Sequence, residues 1–429
     1  MKKVREGYKM TELGEIPVDW NVECLENIAQ RLSGHTPDKK ISEYWNGDIP
    51  WISLKDTKRL DKRYISETTD YTTEAGISNS SAVILPKGTV VLSRDATVGK
   101  VGVTDKKMAT SQHFINYVCG ENLHNLYLYY DFCNRKSLFK RIGIGSTIKT
   151  IGVSFFKSLS IILPPIKEQR KIADILSLVD DQIEITDNLI EKTKELKKGV
   201  MQKLLTKGIG HSRFKDTEIG RIPEKWDVRP LLEVSDRSKE NSFIDGDWIE
   251  AQYITDEGIR LIQTGNIGVG NFIDKGDKKF VSEATFEDLK CKNVEPGDIL
   301  ICRMAEPTGR ACIVPELSKL MITAVDCTIV KVDTNRFDTG FINYFLNSDY
   351  NLKRVVQFEQ GSTRKRISRI NLEKLMIPIP KIEEQKQISS IISSVDDQIS
   401  QYESKKGKLQ ELKKGLMQKL LTGKIRVKV

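Results

Sequence analysis

The sequence predicts an α+β chain in which two mixed α/β domains are separated by two long helices. The helices pair antiparallel as a coiled coil, and the halves are related by approximate two-fold symmetry. Three observations predict this. The chain repeats itself at a constant offset, the repeated stretches carry heptad spacing, and the blocks between them hold short strand-like runs.

The repeat is literal. Glu168-Gln169, Val179-Asp180-Asp181-Gln182-Ile183 and Glu195-Leu196-Lys197-Lys198-Gly199-Val200-Met201-Gln202-Lys203-Leu204-Leu205-Thr206 return as Glu384-Gln385, Val395-Asp396-Asp397-Gln398-Ile399 and Glu411-Leu412-Lys413-Lys414-Gly415-Leu416-Met417-Gln418-Lys419-Leu420-Leu421-Thr422, each 216 residues later. Thr11-Glu12-Leu13-Gly14-Glu15-Ile16-Pro17-Val18-Asp19-Trp20 returns as Thr217-Glu218-Ile219-Gly220-Arg221-Ile222-Pro223-Glu224-Lys225-Trp226 after 206 residues, so the second intervening block is longer by 10. A period above two hundred residues is too long for a solenoid and means duplicated domains, each followed by its own helix.

The helices follow from periodicity. Ile172, Leu176, Val179, Ile183, Thr186, Ile190 and Thr193 are spaced alternately by four and three, and Ile388, Ile392, Val395, Ile399, Tyr402, Lys406 and Leu409 keep the same register. That is the seam of a coiled coil. Pro164-Pro165 and Pro378/Pro380 stand before the two helices, and Gly208 and Gly423 fall just after them as stops. Forty residues make a rod of ~60 Å, and each apolar stripe needs a cover. Mutual burial within the chain is the simplest cover, with pairing between molecules as the alternative.

The blocks between the helices read as α+β. Ser81-Ala82-Val83-Ile84-Leu85-Pro86-Lys87-Gly88-Thr89-Val90-Val91-Leu92 and Val294-Glu295-Pro296-Gly297-Asp298-Ile299-Leu300-Ile301 are strand-like runs around turn residues, and Asn125 to Leu138 is helical. The resulting division is an N-terminal domain over 1–163, a central helix over 164–208, a second domain over 209–378, and a C-terminal helix with its tail over 379–429.

Composition excludes several classes. With 429 residues there is room for two to three domains, and 39% hydrophobic with 30% charged residues suits a soluble fold. No run approaches the ~18 apolar residues of a membrane span, and the first residues lead into no apolar signal core, so a cytoplasmic address is expected. Seven cysteines (24, 119, 133, 291, 302, 312, 327) and four histidines (35, 113, 124, 211) form no ligand spacing, so neither a metal site nor a disulfide framework is expected. Searches for a phosphate loop, His-Glu-x-x-His, Gly-x-Ser-x-Gly and an Asn-Pro-Pro-aromatic tetrapeptide all come back empty, so no catalytic residues are assigned. Gly265-Asn266-Ile267-Gly268-Val269-Gly270 has the wrong glycine spacing for a dinucleotide loop and reads as a turn.

Net charge is +9, distributed as +5 over 1–160, +1 over 161–210, −2 over 211–380 and +5 over 381–429. A domain of charge −2 can hold a polyanion only through a local basic face. Such a face is available. Gly145-Ser146-Thr147-Ile148-Lys149-Thr150 and Gly361-Ser362-Thr363-Arg364-Lys365-Arg366 again stand 216 residues apart and offer hydroxyls and cations at one turn, which suits phosphate oxygens; a solvated turn is the plain alternative. Arg94 with Lys100 and Arg303 with Arg310 lie on loops after apolar strands, where an arginine can reach a guanine edge or a phosphate. Lys55, Gln263 and Asn266 complete the candidate DNA-contacting set.

Leu13-Gly14-Glu15-Ile16-Pro17-Val18-Asp19-Trp20, Gly47-Asp48-Ile49-Pro50-Trp51-Ile52-Ser53, Pro164-Pro165-Ile166-Lys167-Glu168-Gln169 and Met201-Gln202-Lys203-Leu204-Leu205-Thr206 before Gly210-His211-Ser212-Arg213-Phe214-Lys215 resemble the DNA-specificity subunit of type I restriction-modification enzymes over the full length. The resemblance implies that each domain reads one half of a split, asymmetric duplex target and that the helices set the distance between the halves. It also implies docking of two methyltransferase subunits, with motor-nuclease subunits joining for cleavage. S-adenosylmethionine, ATP and Mg are then expected on those partners and no cofactor on this chain. Leu196, Met201, Leu204 and Leu205, with Leu412, Met417, Leu420 and Leu421, are the expected partner-binding residues. The second domain departs from the pattern, having Gly258-Ile259-Arg260-Leu261-Ile262-Gln263-Thr264-Gly265-Asn266 where the first has Gly-Asp-Ile-Pro-Trp-Ile-Ser. An orphan bipartite DNA-binding protein or coiled-coil scaffold without restriction partners is the competing reading, and a nuclease or methyltransferase with a degenerate site is the enzymatic one.

Overall fold

Two long helices, Ile166–Lys207 and Ile382–Leu420, run through the computed structural model, which describes residues 4–145, 148–318, 320–361 and 364–428. Every seam position from Ile172 to Thr193 and from Ile388 to Leu409 is buried or half-buried, as the heptads require. The chain divides into two compact units, Met1–Asn188 with Tyr402–Val429, and Leu189–Gln401. Each unit therefore owns one domain and one half of each helix.

In the first unit the helix halves pair antiparallel, because Asp180 meets Lys413 at 2.6 Å and Asp187 meets Lys406 at 2.5 Å. In the second, Lys197 meets Asp396 at 2.6 Å. A helix tyrosine from the domain caps each junction: Tyr130 donates to Asp180 at 2.9 Å, and Tyr344 to Asp396 at 3.0 Å.

The first unit is built on a five-stranded sheet in the order Ala29–Ser33, Phe114–Cys119, Val90–Ser93, Val101–Thr104, Tyr64–Ile65. Its β-branched runs alternate between two cores. Val90 and Leu92 face the helix Asn125–Asn134 with Tyr127 and Phe132, whereas Val91 faces Ile52, Leu60 and Phe114. That second core is roofed by a three-stranded sheet in which Ala109–Thr110 runs parallel to Trp45–Ile52.

The second unit repeats this plan with fewer strands. A four-stranded sheet runs Phe243–Asp245, Cys327–Val330, Ile299–Cys302, Ala311–Ile313, beside a three-stranded sheet in which Met321–Thr323 is parallel to Ile259–Ile262. Ile299 and Ile301 face the helix Thr339–Leu346, and Leu300 and Cys302 face the other core.

The repeated ends form a clasp. Thr11–Gly14 and Thr217–Gly220 are the turns of two hairpins, and the threonine hydroxyl donates to the glycine carbonyl at 2.8 and 2.7 Å. Each hairpin leads to a buried tryptophan, Trp20 or Trp226, seated against the glycine that ends a long helix. Gly208 (φ 64°) and Gly423 (φ 68°) adopt the left-handed stop, and a Cβ on Gly208 would lie 2.7 Å from the Trp226 ring. The glutamines hold the other helix ends. Gln169, fully buried, accepts from His124 N and donates to the Asn122 and Pro164 carbonyls; Gln385 does the same with Asp338, Arg336 and Pro380.

Asp298 sits buried at the turn before Ile299–Cys302, accepting from Glu295 N at 2.9 Å, and burial pushes its carboxyl up to about 6. A raised value means that stability is fullest below the ordinary value of 3.8 and is lost as pH rises through about 6. Asp298→Asn keeps the acceptor without the charge. It is expected to stabilise the chain at pH 8 by about 1–3 kcal/mol and to gain little at pH 4. Denaturant unfolding of variant and parent at both pH values checks this; equal gains at the two would refute it.

Candidate nucleic-acid interface

In each unit the chain leaves its parallel strand through a short 3-10 turn held by a reciprocal cap. Ser53 N donates to Asp56 at 3.0 Å, and Gln263 N donates to Asn266 at 3.0 Å. Ile52 and Ile262 pair with Thr110 and Thr323 in the same parallel register, so Gly258 to Asn266 stands where the Gly-Asp-Ile-Pro-Trp-Ile-Ser motif stands in the first unit. Asn266 is buried and spends its amide on the Ile273 carbonyl. It shapes the turn instead of facing a ligand. Gln263 and Lys55 are exposed, and Lys55 pairs with Asp70 at 2.9 Å.

The basic residue after each loop glycine also turns inward. Lys100 Nζ donates to the Thr57 carbonyl and to Asp61, both at 2.8 Å. Arg310 is buried and spans four carbonyls: Ile267 (2.7 Å), Ala305 (2.8 Å), Pro307 (3.1 Å) and Thr264 (3.0 Å). Both clamp the capped turn to the loop. Four of the five guanidinium N–H groups of Arg310 are spent on these carbonyls.

Arg94 and Arg303 occupy matching backbone positions. Arg94 N donates to His113 O and Arg303 N to Asp326 O, while their carbonyls accept from Ile151 and Ile367. The Arg303 side chain is buried, donating to the Val325 carbonyl at 2.6 Å and lying 3.1 Å from Asp245. Burial lowers its affinity for the proton, against which Asp245 acts. Arg94 is half-buried, 3.5 Å from Asp95, whose other oxygen meets His113 Nδ1 at 2.9 Å. Of the two, Arg94 is the better placed to reach outward.

The two hairpins lie beside these arginines. Ile144 pairs with Thr150 and Gln360 with Arg366, and Asp95 and Met304 bridge to Thr150 and Arg366. Ser146, Thr147, Ser362 and Thr363 lie outside the described residues. Lys149 and Arg364 are exposed. Lys365 is 3.5 Å from Glu359, and Arg366 reaches Asp326 at 2.5 Å, so two of the three clustered cations are already paired. The structure thus brings together, in each unit, the arginine loop, the hairpin and a third element that the sequence reading missed: the turn 111–113 or 324–326. Its approach segments share Met108 and Thr110 with Met321 and Thr323, and a glycine, Gly34 or Gly246, pressed against that turn, where a Cβ would stand 2.3 Å from the Thr110 or Thr323 carbonyl. Three scattered matches at offsets of 212 and 213, outside the repeats' 216 and 206, are no legible signal.

The expected partner-binding leucines divide. Leu205, Leu420 and Leu421 are buried in their own unit's core, and Met201, Leu204 and Met417 pack partly against it. The buried leucines close the clasp, and Met201, Leu204 and Met417 keep part of their surface exposed. Leu196 (58% exposed) and its repeat Leu412 (49%) remain open to a partner.

Among the described residues no group of three or more His, Cys, Asp or Glu is placed to hold a metal ion, and no helix is long and apolar enough to cross a membrane. The cysteines are free thiols, and burial pushes the Cys312 thiol up to about 12.

A family model described as type I restriction modification DNA specificity domain matches residues 17–195 and again 223–414. The chain is 30% identical to the putative type I restriction enzyme MjaX specificity subunit of Methanocaldococcus jannaschii, over 99% of this chain and 97% of that one. It is 29% identical to the MjaIX specificity subunit of the same organism, over 98% and 96%. Its fold is similar to the crystal structure of a type I restriction-modification S subunit from M. genitalium, with a TM-score of 0.57 over 97% of each chain at 16% identity. It is also similar to a chain from a structure describing complex assembly and conformational transition of the type I R-M system, with a TM-score of 0.60 over 96% and 99% at 16% identity.

Proposed function

Because the chain belongs to the family of type I restriction-modification DNA-specificity proteins, we propose that it is the subunit that selects the DNA target of such a complex. Each unit reads one half of a bipartite, asymmetric duplex site, and the long helices set the distance between halves. Two methyltransferase subunits dock on the chain, at surfaces that include Leu196 and Leu412, and motor-nuclease subunits join for cleavage. Adenine methylation and cleavage, with S-adenosylmethionine, ATP and Mg, belong to those partners, and this chain contributes recognition in the cytoplasm.

One observation carries the reading. Both units assemble the same three loops, arginine loop, hairpin and turn, on the same backbone plan, yet fill them with different side chains. A constant frame with variable contacts is what reading two unlike half-sites requires, since base contacts specify and the frame positions them.

The test is a binding titration of the full chain with its methyltransferase subunit over duplexes randomised at each half-site, at two salt concentrations. Sequence preference at two stretches with a constant gap is expected, and binding without preference would refute the proposal. Replacing Arg364, Lys365 and Arg366 by Ala should weaken binding to all sequences alike. Because Lys365 and Arg366 already have carboxylate partners, the salt slope should fall by about 1, the contribution of one phosphate contact.

A further inference from the structure

The segment after Asp245 in the second unit displays an indole. Trp248 is 72% exposed, against 43% for Tyr64 and 40% for Phe358, in a chain whose Trp20 and Trp226 are buried. It is held out by a rigid stem. Gly246 N donates to the Cys327 carbonyl and Asp247 N to the Thr323 carbonyl, Asp247 bridges in parallel to Ala324, and its carboxylate takes both the Lys292 backbone N–H (2.8 Å) and its ammonium (2.5 Å).

The stem rests on the turn 324–326, and that turn joins Trp248 to the cationic loops. Arg303 donates to Val325 and Arg366 to Asp326, and Arg364 is exposed on the same hairpin as Arg366. An exposed ring whose stem rests on the same turn as a basic hairpin suits a ligand that is anionic at its edge and flat or apolar inside, as duplex DNA is. The matching place in the first unit holds Thr36, whose hydroxyl donates to Gln112 on the equivalent turn. There the exposed apolar groups are on the hairpin instead, at Ile144 and Ile148. The two units therefore present their apolar contacts at different points of a shared frame.

Resting on the function proposed above, we propose that Trp248 is a specificity-determining DNA contact of the second unit, packing its indole against the 5-methyl group of a thymine in the major groove. The methyl is the apolar feature that distinguishes a T·A pair there. The contact adds no charge, so it alters which bases are preferred and not how binding responds to salt.

The experiment uses the full chain with its methyltransferase subunit and the randomised half-site duplexes. Trp248→Ala should reduce preference for thymine at one position of the second half-site about tenfold, with the salt slope and the first half-site unchanged. Trp248→Phe should keep most of it. Deoxyuridine at that position should cost the parent the same factor and cost Trp248→Ala nothing. Uniform weakening over all sequences, a lost preference at a base other than thymine, or intact DNA preference with loss of subunit assembly would each overturn the inference, the last by assigning the ring to a protein partner. If the unaltered complex shows no sequence preference at all, the proposed function fails and this contact with it.

Discussion

Arg310→Met is expected to cost the second unit about 3–5 kcal/mol and to abolish preference at the second half-site while leaving the first intact. The guanidinium is buried and serves the carbonyls of Thr264, Ile267, Ala305 and Pro307. Removing it strands the Ile267 and Ala305 carbonyls, each costing about 1–3 kcal/mol where water does not replace the donor, while those of Thr264 and Pro307 keep only a long backbone bond, from Ile267 N and Arg310 N. Partial hydration keeps the total below the sum. Arg310→Lys should not rescue, because an ammonium on a flexible stem cannot span a planar fork of acceptors. In the first unit, among the described residues, the same clamp serves the Thr57 carbonyl and Asp61, and Lys100 suffices. Denaturant unfolding and the half-site titration together decide the matter. Unchanged stability with a preference lost at a single base would show that Arg310 reads DNA directly.

Trp226→Ala should destabilise the second unit by about 3–5 kcal/mol, as expected for deletion of a fully buried large ring. The ring fills the space over Gly208, lies edge-on to His211 and Phe341, and donates through Nε1 to Glu384 at 3.0 Å. Its repeat Trp20 is equally buried, but its Nε1 has no hydrogen-bond partner among the described residues; Glu168 there pairs with Arg426, whose guanidinium lies over the Trp20 ring. Phenylalanine keeps the apolar bulk and removes the donor. Trp226→Phe should therefore cost about 1–2 kcal/mol more than Trp20→Phe. Unfolding midpoints of the three variants test this, and equal costs for the two phenylalanine variants would show that the Glu384 bond contributes nothing.

The long-range plan was legible because it is written in repeats and heptads. The seam from Ile172 to Thr193 is buried or half-buried along its length, and identical words such as Glu-Gln and Gly-x-Ile-Pro mark places where both units need the same contact. The interface was less legible. Periodicity reports which face is buried, whereas Arg303, Arg310 and Asn266 look like free polar groups until the loops that surround them are folded. Repetition also misled in one respect. Leu205 and Leu421 recur because each closes its own domain, and a sequence alone does not separate that from a shared docking surface.

The discontinuity of the first unit has a consequence for synthesis. Residues Leu189–Gln401 contain every part of the second unit, which can close as soon as they have left the ribosome. The first unit has by then been waiting since its own residues emerged, with Ile16 and Trp20 still lacking the cover of Leu420 and Leu421, and Glu168 and Asp19 still lacking Arg426. The domain that is made first is the one that is finished last. A ribosome that stalls within Tyr402–Val429 therefore leaves behind a completed second domain tethered to an open apolar surface, the kind of species that associates with its neighbours before it can fold.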